Sequence, residues 1–158
     1  MKKFEHVSQE IIYLVGSWES RLLSLENSVI SNKRNSQNRT IKQIVGHMID
    51  SATNNTHRVI HLQYQESPCR YPDYANLGNN DRWIAIQNFQ GEDWHLLVSA
   101  WKFNNLHYAY IIKQIDENQI DNEWISALND VISLYDMVID YPRHLKLHLK
   151  EIEALINQ

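Results

Sequence analysis

TIKQIVGHMIDSATNNTHR, residues 40–58, carries both a helix start and a helix period. Thr40 followed three positions later by Gln43 is a capping box, in which hydroxyl and amide side chain satisfy backbone N–H groups left free at a helix start. Ile41, Ile44, Met48, Ala52, Val59 and Leu62 then recur at helical spacing, so one face is apolar to about residue 64. Gly46 is a costly residue inside a helix. Its place directly before His47 either lets another element or a ligand come close or simply relieves crowding.

Outward from this stretch, three more helices are legible. Val7, Ile11, Leu14, Trp18, Leu22 and Leu25 make an amphipathic stripe over residues 4–26, and the polar NSVISNKRNSQNR of 27–39 reads as its connection. ESPCRYPDYANLGNND, residues 66–81, contains Pro68, Pro72 and Gly78 and predicts a long loop ending in a short helical turn around RWIAIQNF. Loops of that length in small domains are often lids or binding loops. A third helix follows Gly91, with Glu92 and Asp93 in its first turn where the macrodipole favours anions. Trp94, Leu97, Trp101, Tyr108, Ile111 and Ile115 carry it to about residue 117. The fourth begins at Ser133, with Asp136 three positions on, and runs through Leu134, Val138, Tyr141, Leu145, Leu149, Ile152 and Ile156. Pro142 removes a hydrogen bond from that helix, which predicts either a kink near Val138 or a true start near Asp140. No segment shows a convincing strand pattern. The fold class is all-α: a four-helix bundle with a long loop between its second and third helices, in one domain over residues 1–158.

Composition narrows the function. The chain has 158 residues, 43% hydrophobic and 22% charged, which is globular. A formal charge of −4 and the lack of a basic stripe argue against nucleic acid as partner. No run approaches the roughly 20 apolar residues of a membrane span, and MKKFEHVSQE lacks the apolar stretch of a secretory signal. The single cysteine, Cys69, allows no intrachain disulfide and suits a reducing compartment. A cytoplasmic protein with no membrane partner is expected. Four glycines, none in a phosphate-cradling pattern, give no support to a bound nucleotide cofactor.

Eight histidines carry the chemistry, and with so many a pair at spacing four arises readily by chance. Two such pairs exist. In DYPRHLKLHLK, residues 140–150, His144 and His148 share the shoulder of the buried stripe, one turn apart. His57 and His61 lie nearly opposite Met48, the centre of their own helix's apolar face, and read as solvent-facing. His47 sits on a shoulder like that of His144, followed along its side by Ser51, Asn54 and Arg58. His6, His95 and His107 have no partner pattern. On spacing and phase, His47, His144 and His148 are candidates for one metal site, and the alternative is that all three are ordinary helix histidines.

IVGHMIDSATNNTHR resembles the second-helix signature of the DinB/YfiT-like superfamily, in which a histidine is followed by an apolar residue, a short acidic or small stretch and an arginine. LYDMVIDYPRHLKLHLKEIEAL resembles that superfamily's last helix, with its tyrosine and spaced histidine pair, and FQGEDWHLLVSAWKFNNLHYAYI its Trp-led third helix. The likeness spans almost the whole chain in order. It implies a four-helix bundle that binds a divalent metal through one histidine of the second helix and two of the last: here His47, His144 and His148. It departs in Arg39-Thr40, where a Trp-Ser-type start is usual, and in Pro142.

Three imidazoles suit Zn²⁺, Ni²⁺ or a related ion and leave positions open for water and substrate. Leu145, Lys146 and Leu147 separate the pair, so this is not the HExxH arrangement of metalloproteases. Asp50, one turn after His47, and Asp140, one turn before His144, are placed to orient ligand rings, or are plain helix carboxylates. Arg58 and Arg143 could hold an anionic group, though solvated surface arginines are the simpler reading. Tyr71, Tyr74 and Trp83 line a pocket or pack the core. No catalytic residue is assigned. The resemblance points to a thiol S-transferase or hydrolase acting on a small-molecule substrate with a low-molecular-weight thiol. The alternative is a non-catalytic, stress-associated metal-binding bundle whose five tryptophans and eight tyrosines supply a homodimer interface.

Overall fold

Thr40 and Gln43 form both bonds of the predicted box: the Thr40 hydroxyl accepts from Gln43 N, and Gln43 Oε1 accepts from Thr40 N at 3.0 Å. In the computed structural model, which describes residues 2–158, they start α3 (Ile41–His61). The other long helices are α1 (Glu5–Leu23), α5 (Trp94–Ile111) and α6 (Leu134–Ile156), with shorter α2 (Asn27–Asn32) and α4 (Asn79–Gln87) between them.

Each long helix packs chiefly on two others. α1 and α3 both rest on α5 and α6, so the first two long helices face each other across the diagonal of the bundle. Ile11, Leu22, Ile41, Ile44, Leu97, Trp101, Leu134 and Ile152 are sealed inside. Burying side chains of this size is worth about 1.5–3 kcal/mol each before entropy is subtracted, and that drives the assembly. The consequence for function is geometric: α3 and α6 are neighbours, so one face of each can contribute to a common site.

The structure departs from the sequence reading in four places. The polar 27–39 segment contains α2, anchored by the buried Ile30. α5 ends at Ile111, where Ile112–Gln114 tightens into a 3₁₀ turn, and Asp93 is its N-cap, accepting from Leu96 N at 2.9 Å. Three short strands also form: β1 (Cys69–Arg70), β2 (Glu123–Ile125) and β3 (Val131–Ser133), with β1 parallel and β3 antiparallel to the central β2. Strands of two or three residues are too short to show a period. The sheet positions Trp124 under the long loop, buried.

The fourth departure is α6. It starts at Leu134, capped by the Ser133 side chain accepting from Asp136 N at 3.0 Å, and runs unbroken through Pro142. A start at Asp140 is excluded. Pro142 lies in the third turn, where its ring is buried against the bundle and helps to offset the missing hydrogen bond.

A candidate metal centre between two helices

His47, His144 and His148 come together where α3 meets α6. One ring nitrogen from each lies within 4.8 Å of the others. His47 and His148 are buried, and His144 is half-buried. The Nε2 atoms of His144 and His148 are 3.1 Å apart, and their rings meet edge-on. At zinc–nitrogen distances of about 2.0–2.1 Å, two tetrahedral ligand nitrogens stand about 3.3 Å apart, so the pair is already spaced for one small ion.

The outward ring nitrogens decide which lone pairs face inward. His148 Nδ1 lies 3.0 Å from Glu151 Oε2, so that nitrogen carries the proton and Nε2 is left as an acceptor. His144 Nδ1 lies 3.4 Å from Ser51 Oγ, one turn beyond His47 on α3. His47 Nδ1 is buried without a hydrogen-bond partner among the described residues, which buried polar atoms in a folded protein seldom are. Burial above all, then the nearby His148, His144 and Arg39, lowers His47 to about 2. Burial, then His148 and Arg143, lowers His144 to about 4. Both imidazoles are therefore neutral at pH 7, the ligand form. The donor set fits a divalent ion.

The two aspartates are engaged elsewhere. Asp50 is buried, its Oδ1 accepting from Gln87 Nε2 at 2.7 Å, and desolvation raises it to about 6. Asp140 is paired at 2.5 Å with Arg143, whose hydrogen bond lowers it. Glu151 is the carboxylate that touches a ring. Its i+3 offset from His148 was the available signal, the same offset that made Asp50 a candidate after His47. Gly46 is explained by close approach: a Cβ there would lie 2.2 Å from the ring of the buried Phe89. The second pair, His57 and His61, stacks with ring centroids 4.0 Å apart at the outer face of α3.

Beside His144 opens a cavity of about 730 Å³. Ser51, Asn55 and Arg58 line its α3 wall, Tyr141 and Arg143 its α6 wall, and Tyr74 and Trp124 close it from the loop and the sheet. Tyr74 also approaches His47, ring to ring at 6.1 Å. Asn54 faces a second cavity with Tyr71 and Trp83, and the α3 amide on the main cavity is Asn55. Tyr141 Oη donates to Asn105 Oδ1 at 2.8 Å inside the core, which fixes α6 against α5.

The arrangement of the long helices defines the class at the level of fold: an all-α four-helix bundle of YfiT-like topology. The fold is shared with YfiT from Bacillus subtilis, described as "a probable metal-dependent hydrolase with an unusual four-helix bundle topology", at a TM-score of 0.83 over 98% of this chain and 86% of that one. The two are 15% identical, so the likeness establishes the fold. No family model and no curated protein matches the sequence. Among the described residues, no helix is long and apolar enough to cross a membrane.

Proposed function

We propose that the chain is a divalent-metal-dependent enzyme of the thiol S-transferase or hydrolase type, with His47, His144 and His148 as ligands. The observation that carries this is the convergence of three imidazoles, two of them held neutral by burial, at the edge of an open cavity. A divalent ion bound there supplies Lewis-acid activation of a thiol or a water. The chain's own residues set up that chemistry. Burial keeps His47 and His144 unprotonated, Glu151 holds the His148 tautomer, and the cavity admits a small molecule beside His144.

Thiol transfer is the first choice. Among the titratable groups lining the cavity, Asp140 is committed to Arg143 and Asp136 accepts from the Ser133 hydroxyl. With its two wall carboxylates already hydrogen-bonded, the cavity suits a thiol, whose ordinary pKa is about 8.5 and which needs less help from a base than water does. The description of YfiT as a hydrolase supports the hydrolytic alternative. The test is metal content of untagged protein followed by turnover of activated esters, epoxides and aryl halides, with and without thiols. About one ion per chain, lost in His148→Ala, with turnover in one arm is expected. Metal at the same level in both proteins sinks the reading.

A second reading, a non-catalytic homodimeric bundle, has one observation in its favour. Leu96, Phe103 and Tyr110, seven residues apart along α5, are all exposed. Sedimentation of a monomer at micromolar concentration removes it.

A further inference from the structure

Arg58 is a buried cation without a counter-ion. It is 5% exposed, yet no carboxylate lies within ion-pair distance of it among the described residues. Its Nε is sealed from solvent with no hydrogen-bond partner among the described residues. What surrounds it is aromatic: the guanidinium carbon is 4.1 Å from the centroid of Trp124, 5.2 Å from Tyr74 and 5.9 Å from Tyr71. Asp73 is the nearby acidic residue, and its oxygens accept from Asn76 and Asn79. Rings that hold a guanidinium flat leave its N–H edge free for a planar partner. Chains seldom keep a buried charge unpaired, because desolvation costs more than the rings return.

The position gives the unpaired guanidinium a use. Arg58 lines the same cavity as His144, seven residues beyond Ser51 on α3, or about 10 Å along the helix. We infer that Arg58 is the carboxylate-recognition residue of this cavity, holding the anionic end of a small substrate whose reacting end lies about 10 Å away at the histidine cluster. The second half of this statement rests on the proposed metal-dependent function, whereas the first half stands on Arg58 alone. A carboxylate fits better than a phosphate. Its planar pair of oxygens matches the guanidinium fork, and a dianion would call for a second cation. Arg143, the other cation on the cavity wall, is already paired with Asp140.

The experiment compares hexanoate, hexanamide and inorganic phosphate as probes of the unfolding midpoint, in wild type, Arg58→Met and Arg58→Gln, with cobalt binding followed in the same preparations. Hexanoate is expected to raise the wild-type midpoint, hexanamide and phosphate are not, and both variants are expected to lose the hexanoate effect. The ligand-free midpoint of Arg58→Met is expected at or above wild type, since the substitution removes an unpaired buried charge. Equal shifts by acid and amide, a shift by phosphate alone, or a hexanoate shift that survives in both variants overturns the assignment. So does a midpoint well below wild type in both variants with hexanoate inert throughout, which would mark Arg58 as a structural clamp on Trp124. Cobalt binding separates the two readings: its absence with the Arg58-dependent shift intact removes the metal enzyme and leaves the carboxylate site.

Discussion

Two histidine pairs with the same spacing have opposite surroundings in this molecule. His144 and His148 on α6 have ring centroids 4.5 Å apart, and His57 and His61 on α3 have theirs 4.0 Å apart. By ring distance alone the α3 pair is the tighter. What it lacks is everything else: no third histidine approaches it, and no carboxylate lies within 4 Å of either ring among the described residues. The α6 pair has His47 facing it from the neighbouring helix, Glu151 behind His148, and Ser51 behind His144. Spacing places two rings together, but a site requires a second helix that converges on them and neighbours that settle where each proton sits.

The sharpest way to break this comparison is to remove one ring from each pair. His148→Ala is expected to abolish stoichiometric binding of Zn²⁺ or Co²⁺, a loss of more than about 100-fold, because it deletes a proposed ligand and not merely a supporting partner. His61→Ala is expected to leave metal affinity within about twofold. Isothermal titration on untagged protein distinguishes the two. Equal losses would show that both pairs, or neither, hold the ion.

Acid should separate the pairs next, in metal-free protein. His47 and His144 have folded pKa values depressed to about 2 and about 4, against 6.5 unfolded. Between those limits the unfolded chain binds more protons, so stability falls as pH drops below 6.5, by about 1.4 kcal/mol per unit for each ring. Asp50 acts in the opposite sense. Its folded value is raised to about 6 from 3.8, so its destabilising effect, present at neutral pH, is relieved as pH falls through 6. The net loss expected from pH 6.5 to 4.5 is about 3 kcal/mol, or about 10 °C in the midpoint in the presence of chelator. His57 is lowered too, by burial first and then by His61 and Arg58, but it is exposed, so replacing it is expected to change that curve much less than replacing His47. A flat curve in wild type would mean that the triad is hydrated when no metal is bound.

Two helix-interior glycines sharpen the contrast between the face of α3 that carries His47 and an open helix surface. Gly46→Ala forces a methyl to within 2.2 Å of the Phe89 ring, whereas among the described residues nothing lies within 4 Å of a Cβ built on Gly16 of α1. The first is expected to cost about 2 kcal/mol through overpacking and the second to stabilise by about 0.8 kcal/mol through helix propensity. Denaturant midpoints at unchanged m-value measure both.

The four long helices were legible because each carries six or seven apolar positions at helical spacing, and Thr40 and Ser133 announce two of the starts. The histidine convergence was legible by phase, since His47 and the α6 pair each flank an apolar stripe, and adjacent stripes bring their shoulders together. The three strands were not legible: Cys69–Arg70, Glu123–Ile125 and Val131–Ser133 are fixed by pairing with one another across the chain, and their own residues carry no pattern. Arg58 was also misjudged as surface. It lies one residue from the exposed His57, and the sheet and the long loop, by placing Trp124, Tyr74 and Tyr71 around it, make the position buried. Tertiary cover from a distant segment leaves no local signal.

Glu151 supplies the finest distinction between the two pairs, because only the α6 pair has a carboxylate on a ring. Glu151→Gln keeps the side chain's size and replaces the carboxylate with an amide. The amide oxygen still accepts from His148 Nδ1, but without a formal charge the ring is a weaker donor to an ion and its tautomer is less firmly held. The expected effect is a loss of about tenfold in metal affinity with little change in the metal-free midpoint, since Glu151 is partly open to solvent. The matched change Asp140→Asn, in a carboxylate bound to Arg143 and not to a ring, is expected to alter affinity less than twofold. If Asp140→Asn proves the more damaging of the two, the ring contact of Glu151 is incidental and the ion senses charge at the cavity rim instead.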